Sequence, residues 1–177
     1  MRIAIVGSRS VTKDAYPILE AYIPRGVSEI VSGGASGADE LAEEYARRNH
    51  LPMKIFRPDY QVYHKSAPLQ RNLSIIRYSD AVLVLWDGQS RGAAHVIVNC
   101  FHEYTPVHVL LIRDGKLVKT LFGQETDDCY NFIFLQKKRT EAVSVSVRFV
   151  LCKYNYSARY GAAIFSTPSG FSAFQAK

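Results

Sequence analysis

Residues 30–48 read IVSGGASGADELAEEYARR, and this stretch decides the fold class because an apolar run passes through a glycine cluster directly into a helical pattern. Gly33, Gly34 and Gly37 fall within five positions, and glycine loses more conformational freedom on folding than any other residue. Beyond them, apolar residues recur at the i, i+3, i+4, i+7 and i+8 spacing that predicts an amphipathic helix. A strand, a small-residue loop and a helix in this order are typical of a βα unit whose loop backbone approaches an anion.

The same alternation extends over the first 112 residues. Five apolar runs predict strands, at residues 2–6, 27–31, 53–57, 81–86 and 107–112. Helical spacing lies between them, at 11–23, at 38–48, at Leu69, Leu73 and Ile76, and from Val96 to Tyr104. Strands that alternate with helices are typical of a parallel sheet with helices on both faces. We therefore predict an α/β fold, a Rossmann-like three-layer sandwich with a mainly parallel sheet.

After Ile112 the pattern changes to that of antiparallel strands. Asp114 and Gly115 between two apolar runs favour a type I′ hairpin turn, and residues 143–151 alternate with the period of a half-buried strand. We therefore divide the chain into an α/β domain at 1–115 and a β-rich C-terminal extension at 116–177. Because an uncovered sheet edge invites pairing, we expect the extension to cover an edge or to form a homodimer surface.

Composition excludes several classes of protein. The chain has 177 residues, enough for one full-sized domain, and no apolar run approaches the 18 residues of a membrane-spanning helix. Because the N-terminus reads as a first strand rather than a secretory signal, we expect a cytoplasmic protein. The three cysteines are far apart and the histidines do not pair at metal-ligand spacing, so we predict neither a disulfide framework nor a metal site.

The net charge of +6 lies mainly in the last third of the chain. Residues 1–112 carry 12 Lys and Arg against 11 Asp and Glu, whereas residues 113–177 carry 10 against 5. In this tail, basic residues such as Lys137, Lys138 and Arg139 are followed by several tyrosines. A groove with basic and aromatic side chains is typical of proteins that bind single-stranded nucleic acid, so the tail is one possible site for such a partner. The alternative interpretation is that the tail forms a charged hairpin exposed to solvent.

Four loops that follow predicted strands carry the candidate chemistry. They are GSRS (7–10), SGGASGAD (32–39), RPDY (57–60) and WDGQSRGAAH (86–95). In an open parallel sheet, ligands bind beyond the carboxyl ends of the strands, near the point where strand order switches. A loop that opens a helix attracts anions, and Arg91 offers a fork of donors to a phosphate. The alternative is that Ser36 and Asp39 form a near capping box without any ligand.

Neither GxGxxG after the first strand nor GxxxxGK[ST] is present, which argues against ordinary dinucleotide and P-loop sites. The segments MRIAIVGSRS (1–10), IVSGGASGADELAEEYA (30–46), RPDY (57–60), PLQRN (68–72) and SDAVLVLWDGQSRGAAHVI (79–97) resemble the YspA and cpYpsA-related branch of the SLOG superfamily. That superfamily joins the single-stranded DNA-binding domain of DNA processing protein A with the lysine-decarboxylase-like LOG proteins. The resemblance covers about residues 1–112 and implies a Rossmann-like pocket for a nucleotide or nucleotide-derived ligand, with no further cofactor assigned.

The resemblance also implies the residues of the site. They are Gly7, Ser8 and Arg9 on one side, Ser32, Gly33, Gly34, Ser36, Gly37 and Asp39 in the phosphate loop, Arg71 and Asn72 at the rim, and Asp87, Gly88, Ser90, Arg91 and Gly92 on the other side. Asp39 either contacts a ribose hydroxyl or caps the helix. Arg71 and Asn72 otherwise lie on an exposed helix face. Ala93 replaces a threonine of the family pattern, and Tyr60 replaces a tryptophan.

Three functions follow from these residues. Binding or sensing of a nucleotide-like ligand ranks first. The alternative is N-glycosidic hydrolysis as in LOG enzymes, whose PGGxGTxxE motif supplies a catalytic glutamate; the same offset from Gly92 falls here on Val96, so no catalytic residue is assigned. His95 follows Arg91 by one helical turn and is a weaker acid–base candidate. Single-stranded nucleic-acid binding is the further alternative.

Overall fold

Each apolar run of the α/β domain forms a strand in the computed structural model, which describes residues 1–121. The strands are β1 (Arg2–Gly7), β2 (Glu29–Ser32), β3 (Met53–Ile55), β4 (Ala81–Trp86), β5 (Val107–Arg113) and β6 (Lys116–Leu121). The helices are α1 (Tyr16–Tyr22), α2 (Ala38–Arg48), α3 (Tyr60–Tyr63), α4 (Ala67–Tyr78) and α5 (Arg91–His102), with 3₁₀ turns at Lys13–Ala15 and His64–Ser66. At the ends of elements, β2 starts two residues later than predicted, β3 stops two residues earlier, and α5 starts five residues before Val96. The sequence analysis did not predict α3 or the 3₁₀ turn at His64–Ser66.

The six strands form one sheet in the order β3-β2-β1-β4-β5-β6. β1 to β5 are parallel and β6 is antiparallel to β5, which confirms the predicted Rossmann-like α/β fold. From β1 the chain builds outward through β2 to β3 and then crosses to β4 on the other side of β1. The carboxyl ends of β1 and β4 therefore flank the switch in strand order, where such folds bind ligands.

Helices cover both faces of the sheet. Successive side chains of β1 point to opposite faces, and both sets are apolar and need to be buried. Ile3 and Ile5 are fully buried in a cluster with Leu19 of α1 and Leu41 of α2. Full burial of such a side chain contributes about 1.5–3 kcal/mol, so this cluster fixes α1 and α2 on the sheet. Val6 points the other way, toward α4 and α5. All six residues of β4 are buried, as expected for a central strand covered on both sides.

The turn between β5 and β6 has the predicted type I′ geometry. Arg113 pairs with Lys116 across it, and both central residues have positive φ, 49° at Asp114 and 70° at Gly115. An Asp-Gly pair tolerates these angles, so the sequence fixes the hairpin locally.

The remaining strands predicted for the extension and the basic segment 137–139 lie outside the described residues. The division of the chain at 115 and the homodimer stay predictions. Within residues 1–121, no helix is both long and apolar enough to cross a membrane, and no group of three or more His, Cys, Asp or Glu side chains is placed to hold a metal ion.

Candidate functional site

A cavity of about 460 Å³ lies at the carboxyl ends of β1 and β4, between the glycine loop, α4 and the start of α5. The predicted site residues that line it are Gly7, Arg9, Asp39, Arg71, Asn72, Asp87, Ser90 and Gly92. Its volume lies in the range of small-molecule sites. Two cationic side chains, Arg9 and Arg71, lie in its wall together with two carboxylates and the first turn of a helix.

Ser8 lies behind the cavity and joins three of the loops. It is fully buried, and its Oγ accepts the amide hydrogen of Asp87 at 3.0 Å. Its carbonyl oxygen accepts the amides of Val11 and Ala38, both at 3.3 Å, and its own amide donates to the Leu85 carbonyl at 2.9 Å. Ser8 therefore connects the end of β1 to the end of β4 and to the start of α2.

The glycine loop has a backbone that only glycine accommodates at Gly37. Gly37 is the N-cap of α2 with φ of 78°, and a Cβ there would lie 2.5 Å from the Ser8 carbonyl oxygen. The near capping box of Ser36 and Asp39 is therefore not formed. Ser32, which is also fully buried, accepts the Gly34 amide at 3.4 Å, and Gly34 has φ of 64°.

Asp39 holds this loop from within the first turn of α2. Only 4% of the residue is exposed, and its Oδ2 accepts the amide of Ala35 at 3.0 Å. Burial raises the pKa of the Asp39 carboxyl, and the Ala35 amide together with the nearby charge of Arg71 partly offsets that rise. The Asp39 carboxylate therefore stabilises the glycine loop and does not cap α2.

Arg71 reaches from α4 across the same loop. Its Nη1 donates to the Gly33 carbonyl oxygen at 2.8 Å, and a Cβ on Gly33 would overlap the guanidinium group. Burial lowers the pKa of Arg71, while the charge of Asp39 raises it in part. Within residues 1–121 its Nε has no hydrogen-bond partner. The predicted rim arginine is therefore a half-buried cation in the cavity wall.

The loop after β4 is organised by Asp87. Its Oδ1 accepts the amides of Gln89 at 2.8 Å and Ser90 at 2.7 Å, and its Oδ2 accepts the Ser10 hydroxyl at 2.7 Å. Burial opposes ionisation of Asp87, but these hydrogen bonds lower the pKa of its carboxyl on balance. The loop turns at Gly88, whose φ is 83°. Both carboxylate oxygens are thus engaged by the protein itself.

The first turn of α5 faces the cavity at Gly92. Ser90 caps this helix, accepting the Ala93 amide on its Oγ at 3.4 Å. A Cβ on Gly92 would meet no atom closer than Ser90 Oγ, at 4.0 Å, so this side of the helix is open. Arg91 is exposed at the first residue of α5 and does not belong to the cavity lining, unlike Arg9 and Arg71.

The predicted apolar stripe of α4 matches the buried face of this helix only in part, since Ile76 of that stripe is fully buried. The predicted apolar stripe began at Leu69, but Leu69 is 42% exposed at the cavity, whereas Asn72 is buried with Ile75 and Ile76. Helical spacing alone favoured the leucine, and only the packing of α4 against α5 and the sheet decides which face is buried. The available signal was the resemblance of PLQRN (68–72) to the family pattern, which already placed Asn72 among the predicted site residues.

The two remaining candidates on α5 have different positions. Val96, at the offset of the LOG glutamate, lines the cavity. His95 is partly buried beside it; burial lowers its pKa, and its Nδ1 has no hydrogen-bond partner within the described 121 residues. The cavity lining includes Val96 and not His95.

Comparison with known proteins agrees with the resemblance stated above. The family described as YspA, cpYpsA-related SLOG matches residues 1–63. The chain is 30% identical over 126 residues to the Gene 61 protein of Mycobacterium phage D29, an alignment that covers 64% of this chain and 96% of the phage protein. Among solved structures it is similar to DNA processing protein A from Helicobacter pylori, with a TM-score of 0.52, 21% identity, and coverage of 87% of this chain and 81% of that one. That structure is described for its single-stranded DNA binding mode, and its likeness to this chain is one of fold.

Proposed function

Because this chain belongs to the YspA, cpYpsA-related SLOG family, we propose that its cavity binds a nucleotide or nucleotide-derived ligand through the ligand's phosphate. The observation that carries the proposal is that Arg9, Arg71 and the open first turn of α5 at Gly92 border one cavity at the switch in strand order. Guanidinium groups and helix N-termini are the usual partners of phosphate oxygens.

The hydrogen bonds around the cavity favour the α5 side for the phosphate. At the start of α2, the Ala35 amide donates to Asp39 and the Ala38 amide donates to the Ser8 carbonyl. These amides already have partners, so the glycine loop shapes the cavity and holds Arg71 in place. At α5, the Gly92 backbone borders open space, and the positive end of a 12-residue helix dipole adds to the attraction.

Binding or sensing is better supported than hydrolysis. Glycosidic hydrolysis needs a carboxyl group held at the scissile bond, and the position that corresponds to the LOG glutamate is Val96. The carboxylates of Asp39 and Asp87 accept hydrogen bonds from their own loops. Release of free base from a bound nucleotide, followed by chromatography, tests the hydrolase alternative directly.

The deciding experiment is calorimetric titration of the full chain with nucleoside monophosphates and ADP-ribose, using Arg9→Ala as the variant. Arg9 is exposed, so its removal leaves the core untouched while it deletes one cation from the cavity. A hydrogen bond to a charged group contributes about 1.5–3 kcal/mol, so affinity for the bound nucleotide falls roughly 10- to 150-fold.

Arg25→Ala is the matched control, because Arg25 is an exposed arginine that precedes β2 and therefore lies at the other end of the strands. The Arg25→Ala variant should bind the nucleotide with the affinity of the unmodified chain. Equal affinities of the Arg9→Ala and Arg25→Ala variants, or no binding of any phosphate compound, would contradict the proposal.

Single-stranded nucleic acid is a second candidate because two tyrosines lie exposed on α3. Tyr60 is 59% and Tyr63 46% exposed, and Tyr60 is near enough to Arg71 to affect its pKa. Stacking of a base on an aromatic side chain contributes about 1–3 kcal/mol. Fluorescence anisotropy with a labelled oligothymidylate tests this function: the affinity should fall with salt and with Tyr60→Ala. A salt-independent signal would exclude it.

A further inference from the structure

The side chain of Asn72 is an amide in the wall of the cavity that has no partner among the described residues. Only 5% of the residue is exposed, yet it lines the cavity, and within residues 1–121 its amide makes no hydrogen bond. The other buried polar residues of this part of the chain each have a contact. Ser8, Ser32, Asp39 and Ser79 make hydrogen bonds, and His108 packs against the ring of Tyr22.

The amide lies deep in the structure and makes no hydrogen bond to the described residues, so only the contents of the cavity can be its partner, and polar groups inside native proteins nearly always have one. Helix propensity gives no reason for asparagine here either, since it is a weaker helix former than leucine or alanine. The position of the amide in a cavity wall indicates that its partner is a molecule that enters the cavity.

The lining around Asn72 also contains apolar side chains from two helices. α4 contributes Pro68 and Leu69, and α5 contributes Ala93 and Val96. The cavity wall therefore combines apolar side chains and one amide with the charged groups of Arg9 and Arg71. An apolar wall with one side chain that both donates and accepts suits the flat ring of a nucleobase better than it suits a phosphate.

This inference rests on the proposed function: we propose that Asn72 determines specificity by reading the base of the bound nucleotide, and that the base is adenine. An asparagine amide presents a donor and an acceptor side by side, which match N7 and the N6 amino group of adenine. Guanine presents two acceptors on the same edge, O6 and N7, and an amide pairs with only one of them.

The test measures the binding of four probes to the full chain: AMP, IMP, 7-deaza-AMP and ribose 5-phosphate. IMP replaces the amino donor with an oxygen, and 7-deaza-AMP lacks the N7 acceptor. The unmodified protein should prefer AMP to each of the two analogues by roughly 5- to 150-fold, the range for one well-formed bidentate base contact. This comparison needs no variant, so it stands even where a substitution disturbs folding.

The Asn72→Leu variant should bind ribose 5-phosphate as the unmodified protein does and lose its preference for AMP over IMP. Ser74→Ala is the control, since Ser74 is exposed on the same helix and lies outside the cavity lining. AMP bound equally well as both analogues, or a preference that survives in Asn72→Leu, would overturn the assignment of Asn72 and leave the phosphate site standing. Failure of every probe to bind would overturn the proposed function as well.

Discussion

Replacing Gly92 with alanine separates ligand binding from folding. Gly92 lies in the first turn of α5 with an ordinary helical backbone, and the added methyl group meets no atom nearer than Ser90 Oγ at 4.0 Å. Alanine is more favourable than glycine in a helix by about 0.5–1 kcal/mol, and less at a helix end, so the free energy of unfolding should stay unchanged or rise slightly.

Ligand affinity should respond in the opposite direction. The methyl group occupies the open space through which a phosphate reaches the backbone of α5, and loss of one charge-assisted hydrogen bond costs about 1.5–3 kcal/mol. Calorimetric titration should therefore show affinity reduced roughly 10- to 150-fold, whereas urea unfolding shows full stability. A stable Gly92→Ala variant with unchanged affinity would refute the position given to the phosphate. Ser74→Ala, on the exposed face of α4, provides the control for an added alanine.

Three further outcomes test the fold and the site. Gly37→Ala should lower the free energy of unfolding by roughly 2–4 kcal/mol in urea, because the new Cβ lies 2.5 Å from the Ser8 carbonyl oxygen on a backbone with φ of 78°; stability within 1 kcal/mol of the unmodified chain would contradict this. Burial lowers the pKa of His108 to about 4 from 6.5, so the unfolded chain binds more protons between these values and stability falls as the pH drops below 6.5. Between pH 7 and pH 5 the free energy of unfolding of the His108→Phe variant should fall by about 2 kcal/mol less than that of the unmodified chain. An equal fall in both proteins would exclude His108 as the source of this pH dependence. Arg91→Ala should weaken nucleotide binding at most about fivefold, well below the effect of Arg9→Ala, because Arg91 is exposed outside the cavity lining; a larger effect in titration would bring Arg91 into the site.

The positions of the strands and the place of the cavity could be predicted from the sequence because both depend on local patterns. Compact apolar runs predicted all five parallel strands. The reason is clearest for β4, which is apolar throughout because it is buried on both faces. The Asp-Gly pair predicted the hairpin, since only residues that tolerate positive φ form a type I′ turn. Parallel strands place their carboxyl ends at one edge, so the loops after β1 and β4 had to approach each other.

The roles of individual side chains depended on tertiary structure. The pattern of α4 favoured Leu69 as a core residue, yet contact with α5 and the sheet places Asn72 inside and leaves Leu69 at the cavity. From the sequence, Asp39 was expected to cap the helix or, as the alternative, to contact a ribose hydroxyl; in the structure its carboxylate accepts the Ala35 amide. Arg71 lies 38 residues from the Gly33 carbonyl to which it donates. Such contacts join distant parts of the chain, so no local spacing encodes them. Local patterns are sufficient to predict the parallel strands, the hairpin turn and the edge of the sheet that carries the cavity. The packing of the helices on the sheet decides which side chains enter that cavity.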